Sequence, residues 1–313
     1  MISVIGVVKN AADIIESMIR CNAIWADNFV LLDNMSSDRT AEILESLKKE
    51  GFPIEVLEDH EQSHLQKEKM LKLIAYVKEK YSPDFIFPLD DDEIVVSSSA
   101  GLKPGEIKSA IEGLDRSMLY YVSWRNYIPA DEDDAGEVCV PKRLRFCFDD
   151  EPRMTKKVLI PAALTGEGFS LADGNHYADS PAVKGRVHLK DLRIAHFPVR
   201  SPEQIASKAA VGWINNLIIN DRAEGQAYHW ERMFNIIKGG TIPGTDLMQA
   251  MCTLYREDPN DEEHLNVVLK PLDLPAECFT LRYTRPGEAN LLANICRRME
   301  ELALAYSELK KKV

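Results

Sequence analysis

Residues 85–96 read FIFPLDDDEIVV, and the order of residue types in this stretch decides the fold. An apolar run, Phe85-Ile86-Phe87-Pro88-Leu89, leads into Asp90, Asp91, Asp92 and Glu93, and a second apolar run, Ile94-Val95-Val96, follows. Four acids between two strand-like pieces repel one another, so a fold that pins them at a strand end gains from a divalent cation placed there. Magnesium or manganese takes one or two carboxylates and completes its shell with substrate phosphates, which points to a metal-bridged phosphate substrate. A solvated acidic turn is the alternative. An EF-hand loop does not fit, because Ile94 stands where that loop needs an oxygen ligand and Val95 where it needs glycine.

Upstream of this stretch, Ile2 to Val8 reads as a buried strand, and Ile14, Ile15, Met18 and Ile19 recur at helical spacing after the turn Lys9 to Asp13. Phe29-Val30-Leu31-Leu32 is a second strand, which ends in the polar, cap-rich run Asp33-Asn34-Met35-Ser36-Ser37-Asp38-Arg39-Thr40. A helix from Ala41 to Glu50 stops at Gly51. Ile54 to Leu57 is a third strand, and a longer helix through Met70, Leu71, Ile74 and Val77 ends at Pro83. Strand and helix alternating in this way predict a doubly wound, Rossmann-like, mostly parallel α/β sheet. Ligands of such sheets bind beyond the carboxyl ends of the strands, where Asn10, Asp33, Asp38 and Asp90 to Glu93 all fall.

Downstream the pattern is less regular. A helix near Glu106 to Leu114 precedes strands at Leu119 to Trp124, Arg143 to Phe148, Lys157 to Ile160 and Asp191 to His196, which predict a mixed half. A polar segment with glycines, Thr165 to His176, lies between them, either a functional loop or surface filler. Glu203 to Ile219 reads as a helix. Ala289 to Lys312 reads as a long amphipathic helix with Leu292, Ile295, Met299, Leu302 and Leu309 on one face and a basic end, Lys310 to Lys312. The expected division is 1–100 for the first half, 101–220 for the mixed half and 221–313 for a mainly helical extension.

The 313 residues are 45% hydrophobic and 28% charged, ordinary for a globular chain, and the net charge of −12 argues against a nucleic-acid partner. No apolar run approaches a membrane span, and the start lacks a basic signal-peptide region, so a cytoplasmic protein is expected. The six cysteines are scattered without a CxxC pair, which predicts reduced thiols and neither a zinc knuckle nor a disulfide framework.

Three stretches together resemble glycosyltransferase family 2 and its GT-A fold: VVKN at 7–10, LLDNMSSDRT at 31–40, and LDDDEIV at 89–95, the last similar to the D-x-D-E form of that family's DxD motif. A fourth, AHFPVRSPEQIASK at 195–208, resembles a histidine-bearing segment that closes the active site in one bacterial branch. The resemblance spans roughly residues 1 to 215. It implies an inverting glycosyltransferase that moves a sugar from a nucleoside diphosphate sugar to a glycan, lipid-linked or other hydroxyl acceptor in bacterial surface polysaccharide synthesis, with Mn2+ or Mg2+ as cofactor. Carried onto this chain, it implies donor contacts by Val8, Asn10, Asp33, Asp38, Gln66, Lys69, Asp90, Asp91, Arg200 and Lys208. Asp33 would serve the base, Asp90 the ribose or sugar, and Arg200 and Lys208 the leaving diphosphate. Asp92 and His196 would hold the metal. Asp33 and Asp38 as helix caps, and Arg200 and Lys208 as solvated cations, are the alternatives.

The family's later acidic pair, source of its catalytic base, has no clean counterpart here. The polar run DGNHYAD offers Asp173, His176 and Asp179 as catalytic residues, and a carboxylate generally ionised at neutral pH favours either aspartate as base, with His176 positioning a substrate. Without turnover, the same domain would be a sugar-nucleotide-binding or interaction module. A third reading is a zinc peptidase through His60-Glu61-Gln62-Ser63-His64, which matches HExxH but sits at the polar start of a surface helix. Asp92 and His196 are expected at strand ends outside the core. The C-terminal helix is expected to serve as an attachment element, for oligomerisation or for peripheral contact with the inner face of the membrane, with packing on the sheet domain as the alternative.

Overall fold

The computed structural model describes residues 1–60, 65–98, 102–149, 155–217, 228–241, 243–255 and 266–312. Its first half alternates as the hydrophobic pattern demands: β1 (Ile2–Val8), α1 (Ile15–Asn22), β2 (Asn28–Asp33), α2 (Thr40–Glu50), β3 (Ile54–Glu58), α3 (Gln66–Tyr81) and β4 (Phe85–Pro88). The second half holds β5 (Glu93–Ser97), α4 (Ile107–Glu112), β6 (Met118–Ile128), α5 (Val140–Arg143), β7 (Phe146–Phe148), β8 (Lys156–Pro161), β9 (Ser170–Leu171), β10 (Ala178–Asp179), β11 (Gly185–His188), β12 (Leu192–His196) and α6 (Pro202–Leu217). The chain continues through α7 (Tyr228–Lys238), α8 (Thr245–Cys252), β13 (Val267–Leu269) and α9 (Leu291–Lys312).

Strands β3, β2, β1 and β4 pair in parallel in that order, and β8, β6, β7 and β13 extend the sheet beyond β4 through antiparallel pairs. β12 pairs in parallel with β6 and antiparallel with β5. The fold is thus the α/β class expected, with a Rossmann-like parallel half and a mixed half. Alternation along β1 explains the two layers: Ile2 and Val4 pack with Ile15, Met18 and Ile19 of α1, while Ile5 packs with Met70, Leu73 and Val77 of α3 on the other face. Gly51 ends α2 as predicted, at a left-handed φ of 109° with its N–H on the carbonyls of Leu47 and Lys48. Among the described residues no helix is long and apolar enough to cross a membrane.

Two expectations about elements need correction. Residues 143–148 do not form one strand, because Pro141 favours a helical first turn and Val140–Arg143 is α5, leaving only Phe146–Phe148 extended. The C-terminal helix does not stand off the core. Asn294 donates to Ser207 Oγ of α6 at 2.9 Å and lies 3.5 Å from Ser37 Oγ. The docking face is also not the apolar stripe: Leu292 and Met299 are 72% and 63% exposed, whereas Asn294 and Arg298 are buried. The side chains of Lys310 to Lys312 fall outside the described residues.

Glu16 ties the segment before α9 to the first layer. Its buried carboxylate accepts the backbone N–H groups of Arg282, Tyr283 and Thr284 at 2.7–2.9 Å, and Arg20 beside it. Burial alone pushes Glu16 up, and the backbone donors with Arg20 outweigh it and hold it below its ordinary value. Its contribution to stability is therefore complete above about pH 4.5 and is lost as pH falls through the lowered folded value. Glu16→Ala, which strands three N–H donors, is expected to cost roughly 3 kcal/mol and to open residues 276–290 to proteolysis. An unchanged melt with a protease-resistant C-terminal segment would show that the tie contributes nothing.

Candidate active site

The acidic turn forms where β4 ends, and its position is set by a close approach of backbones. Leu89 donates its N–H to the Ile5 carbonyl at 2.9 Å, and the Leu89 carbonyl passes so near Gly6 that any Cβ there would overlap it. Because β6 and β12 run parallel to β4 and β8 runs against it, the C-termini of β6 and β12 and the N-terminus of β8 arrive at the same edge. That edge is the carboxyl edge of the parallel half, where crossover sheets bind ligands.

Asp92 is 1% exposed and His196 2%, so both lie inside the packed structure and not outside the core as expected. Three groups converge on Asp92: Lys208 Nζ at 2.7 Å and Arg200 Nη1 at 3.3 Å reach Oδ2, and His196 Nε2 stands 3.6 Å from Oδ1. Burial pushes the Asp92 carboxyl up, and the charges of Lys208 and Arg200 outweigh it and hold it far below the usual range. Asp91 makes no ion pair among the described residues, and burial together with the charge of Asp92 outweighs the pull of Lys208 and Arg200 and raises it to about 7.

His196 is held by its neighbours in β5 and β6. Register places it opposite Glu93 and beside Asn126, whose Oδ1 takes the Nδ1–H at 2.7 Å. Burial depresses its pKa to about 3, so the ring is neutral and its lone pair is on Nε2, facing Asp92 Oδ1. Two acceptor atoms aimed at each other with no proton between them repel, and a divalent cation removes that repulsion. The donor set, one carboxylate oxygen and one imidazole nitrogen, suits manganese or magnesium completed by phosphate oxygens. Among the described residues no three His, Cys, Asp or Glu side chains gather as a metal cluster.

The segment resembling the family's histidine-bearing stretch earns its shape from helix capping. Ser201 Oγ accepts the Gln204 N–H at 3.1 Å and Gln204 Oε1 accepts the Arg200 N–H at 3.0 Å, which starts α6 at Pro202 and carries Lys208 back over Asp92. Arg200 is a buried strut: its guanidinium grips Asp13 through two bonds at 2.7 and 2.9 Å as well as Asp92.

Asp90 is held from two sides, by Lys157 Nζ at 2.7 Å and by Gln66 Nε2 at 3.4 Å. Gln66 in turn accepts the Gly174 N–H at 3.3 Å, so the Asp173–Asn175 turn is brought to the acidic turn. Of the three residues expected in catalysis, His176 and Asp173 stand at this edge and Asp179 does not. His176 donates Nδ1–H to the Lys156 carbonyl at 2.8 Å and meets Trp124 edge-on, which is stacked on His196 at 4.0 Å. Asp173 is exposed on the turn. Asp179 is paired with Arg186, a residue of β11 that lies beside Leu119 near the start of β6, away from the carboxyl edge.

Most of the residues expected on the nucleotide side gather at the ends of β1 and β2. Asn10, at φ 54°, accepts the Ser37 N–H through Oδ1 at 2.7 Å, and Asp33 accepts the Ser36 N–H at 3.0 Å. Asp38 ties two loops together, taking the N–H groups of Ala12 and Thr40, so its oxygens serve the fold. The Val8 side chain lies in the core. Lys69 pairs with Asp59 at 2.6 Å beneath the Asn34 amide. His60 is exposed and precedes α3, and residues 61–64 of the HExxH match lie outside the described residues. Sequence reading missed Asp13, Trp124, Asn126, Lys157 and Tyr255, whose ring meets His196 edge-on at 5.3 Å.

No protein-family model matches the chain, and no curated protein does. Among solved structures it is similar to residues 1–349 of TarS from S. aureus, at 13% identity and a TM-score of 0.40 over 81% of this chain and 78% of that one. Glucosyl-3-phosphoglycerate synthase from Mycobacterium tuberculosis, solved with Mn2+, uridine diphosphate and glucosyl-3-phosphoglycerate, is similar at 14% identity and 0.35 over 71% and 81%. The mannosyltransferase PcManGT from Pyrobaculum calidifontis, solved with GDP-Man and Mn2+, is similar at 13% and 0.32 over 40% and 35%.

Proposed function

We propose that the chain is an inverting glycosyltransferase of family 2 type, which takes a sugar from a nucleoside diphosphate sugar to a hydroxyl acceptor such as a glycan of a bacterial surface polysaccharide. The observation that carries the reading is the neutral His196 Nε2 facing the Asp92 carboxylate across 3.6 Å at the carboxyl edge. Asp92 and His196 would hold Mn2+ or Mg2+, which when bound neutralises charge on the leaving diphosphate. Lys208 and Arg200 keep Asp92 ionised, and Asn126 fixes the His196 tautomer. Asp90 and Gln66 orient the sugar side, while Asp33 and Asn10 line the base side. The acceptor hydroxyl enters between the acidic turn and the Asp173–His176 segment, and Asp173 or His176 takes its proton. Asp179, paired with Arg186, has no part in that step.

A thermal-shift panel of nucleotides and nucleotide sugars with and without manganese tests the reading, since ligand stabilisation grows as RT ln(1 + [L]/Kd). A cation-dependent shift with one nucleotide sugar is expected, followed by transfer with inverted anomeric configuration. No shift with any of them sinks the proposal.

The Asp173–His176 segment yields a separate expectation. Gly174 has φ +70°, and a Cβ there would overlap the His176 imidazole. Gly174→Ala therefore displaces the ring, and misplacing a reacting group by about 1 Å costs up to about a hundredfold in turnover. Donor affinity, read by calorimetry, should stay unchanged. Equal turnover in this variant would remove His176 from the acceptor side.

A further inference from the structure

Arg298 is a charged group near the base side to which the proposed function gives no role. It projects from the docked face of α9, is 3% exposed, and gives Nη1 to Glu301 at 2.8 Å. Its Nε and Nη2 are buried and have no hydrogen-bond partner among the described residues. Those two donors form one edge of the guanidinium, a parallel pair whose spacing matches two oxygens of a phosphate or carboxylate. Leaving both unbonded in a buried place is costly, because each has lost its water.

The place itself lies against the crevice. One turn before Arg298, Asn294 reaches Ser37 in the loop after β2, and the docked face of α9 therefore runs along the ends of β1 and β2. Lys9, at the end of β1, shares this space with Arg298, Glu301 and Asp33. Its ammonium donates to the Asn34 carbonyl at 2.6 Å. Burial lowers the Lys9 pKa, Glu301 and Asp33 oppose that, and the nearby Arg298 charge adds to the lowering. Glu301, which is partly exposed, takes one Nη of Arg298 and Asp33 lies near Lys9, so the remaining edge of Arg298 beside a second cation favours an added anion.

We propose that α9 forms a wall of the donor crevice and that the free edge of Arg298, with Lys9 opposite, is an oxyanion subsite that grips a phosphate group of the nucleoside diphosphate. This rests on the donor reading for the identity of the ligand, though not for the subsite. It makes the C-terminal helix a part of the binding site, reached by a contact with no signature in the N-terminal motifs.

Calorimetry on the full chain, with chelator present so that no divalent cation contributes, separates the two. The probes are UDP, GDP, the two nucleosides and inorganic pyrophosphate. Arg298→Lys keeps the charge and stem and removes the fork, so it should weaken diphosphate and pyrophosphate binding roughly tenfold or more, with Arg298→Ala weaker still, while nucleoside binding stays unchanged. If Arg298→Ala does not fold, the lysine variant decides. Equal diphosphate affinity in Arg298→Lys, or a parallel loss of nucleoside binding, overturns the proposal. Pyrophosphate binding that depends on Arg298 without any preference for nucleoside diphosphates keeps the subsite and sinks the donor reading. If the wild type binds none of the phosphate-bearing probes without a divalent cation, the subsite is overturned, while the donor reading is judged by the manganese panel.

Discussion

Asp92→Asn is expected to abolish manganese-dependent donor binding and to cut transfer by about a thousandfold, while the melting temperature stays within a few degrees of wild type. The amide has the shape of the carboxylate, and its Nδ2, placed where Oδ1 now faces His196 Nε2 at 3.6 Å, would donate to that nitrogen. A repelling pair of acceptors becomes a hydrogen bond, and the place for a cation closes. Its oxygen still accepts from Lys208, and Arg200 keeps both bonds to Asp13. Asp92→Ala differs. It removes a buried partner from both cations and should cost about 3 kcal/mol, with Lys208, the more exposed of the two, regaining water. Comparing the variants separates charge lost at the site from packing lost in the core. Unchanged manganese-dependent affinity in Asp92→Asn would remove Asp92 from the proposed metal site.

The contrast between legible and illegible residues at this site has a physical origin. β1, β2 and β4 could be read because strands buried on both faces need near-continuous Val, Ile, Leu and Phe, and the turns between them need caps. Asp90 to Glu93 stood out because four adjacent acids at a strand end repel one another unless a cation offsets them. Lys157 did not, since a lysine at the head of VLI reads as a strand's polar start, and only the antiparallel register with β6 shows that it is buried beneath the acidic turn. Trp124 and Asn126 are likewise ordinary strand residues until register sets them beside His196. Asp38 reads from sequence as a ligand or as a helix cap, and its carboxylate takes the N–H groups of Ala12 and Thr40, the use a short carboxylate in a polar loop commonly finds. For α9, the apolar stripe suggested the docking face, whereas the buried side is built on Asn294 and Arg298, whose amide and guanidinium bond Ser207 and Glu301. The acids of the turn after β4 were visible from residue type, and His196, Arg200 and Lys208 came through the family resemblance. Lys157, Trp124, Asn126 and Arg298, delivered by strand register or by a distant helix, had neither signal.

Lys157→Met should lower stability by about 3–5 kcal/mol, a fall in melting temperature of roughly 10 °C, the cost of breaking a buried ion pair from one side. The ammonium is fully buried, 2.7 Å from Asp90 Oδ2 and 3.4 Å from Glu93 Oε1, and lies over the Trp124 ring at 5.6 Å. Burial works to lower the Lys157 pKa, and Asp90 and Glu93 outweigh it and raise it, so the charge is kept. Glu93 tells the other half of the story: burial raises it to about 8 in spite of Lys157. A carboxyl raised in the folded state stabilises fully below its unfolded value near 4.5, and that contribution is lost as pH rises through about 8. The wild-type melt should therefore decline across this window, and Glu93→Gln, which cannot ionise, should flatten the decline. In Lys157→Met the decline should begin at the same pH and continue to higher values, because Glu93 has lost its cation. Adding Glu93→Gln to Lys157→Met should recover part of the loss, since the remaining burden is then Asp90 alone, which can turn toward solvent and Gln66. A Lys157→Met protein that melts like wild type at neutral pH, or a double variant no more stable than the single, would mean that the acidic turn is positioned by backbone pairing and does not need the buried lysine.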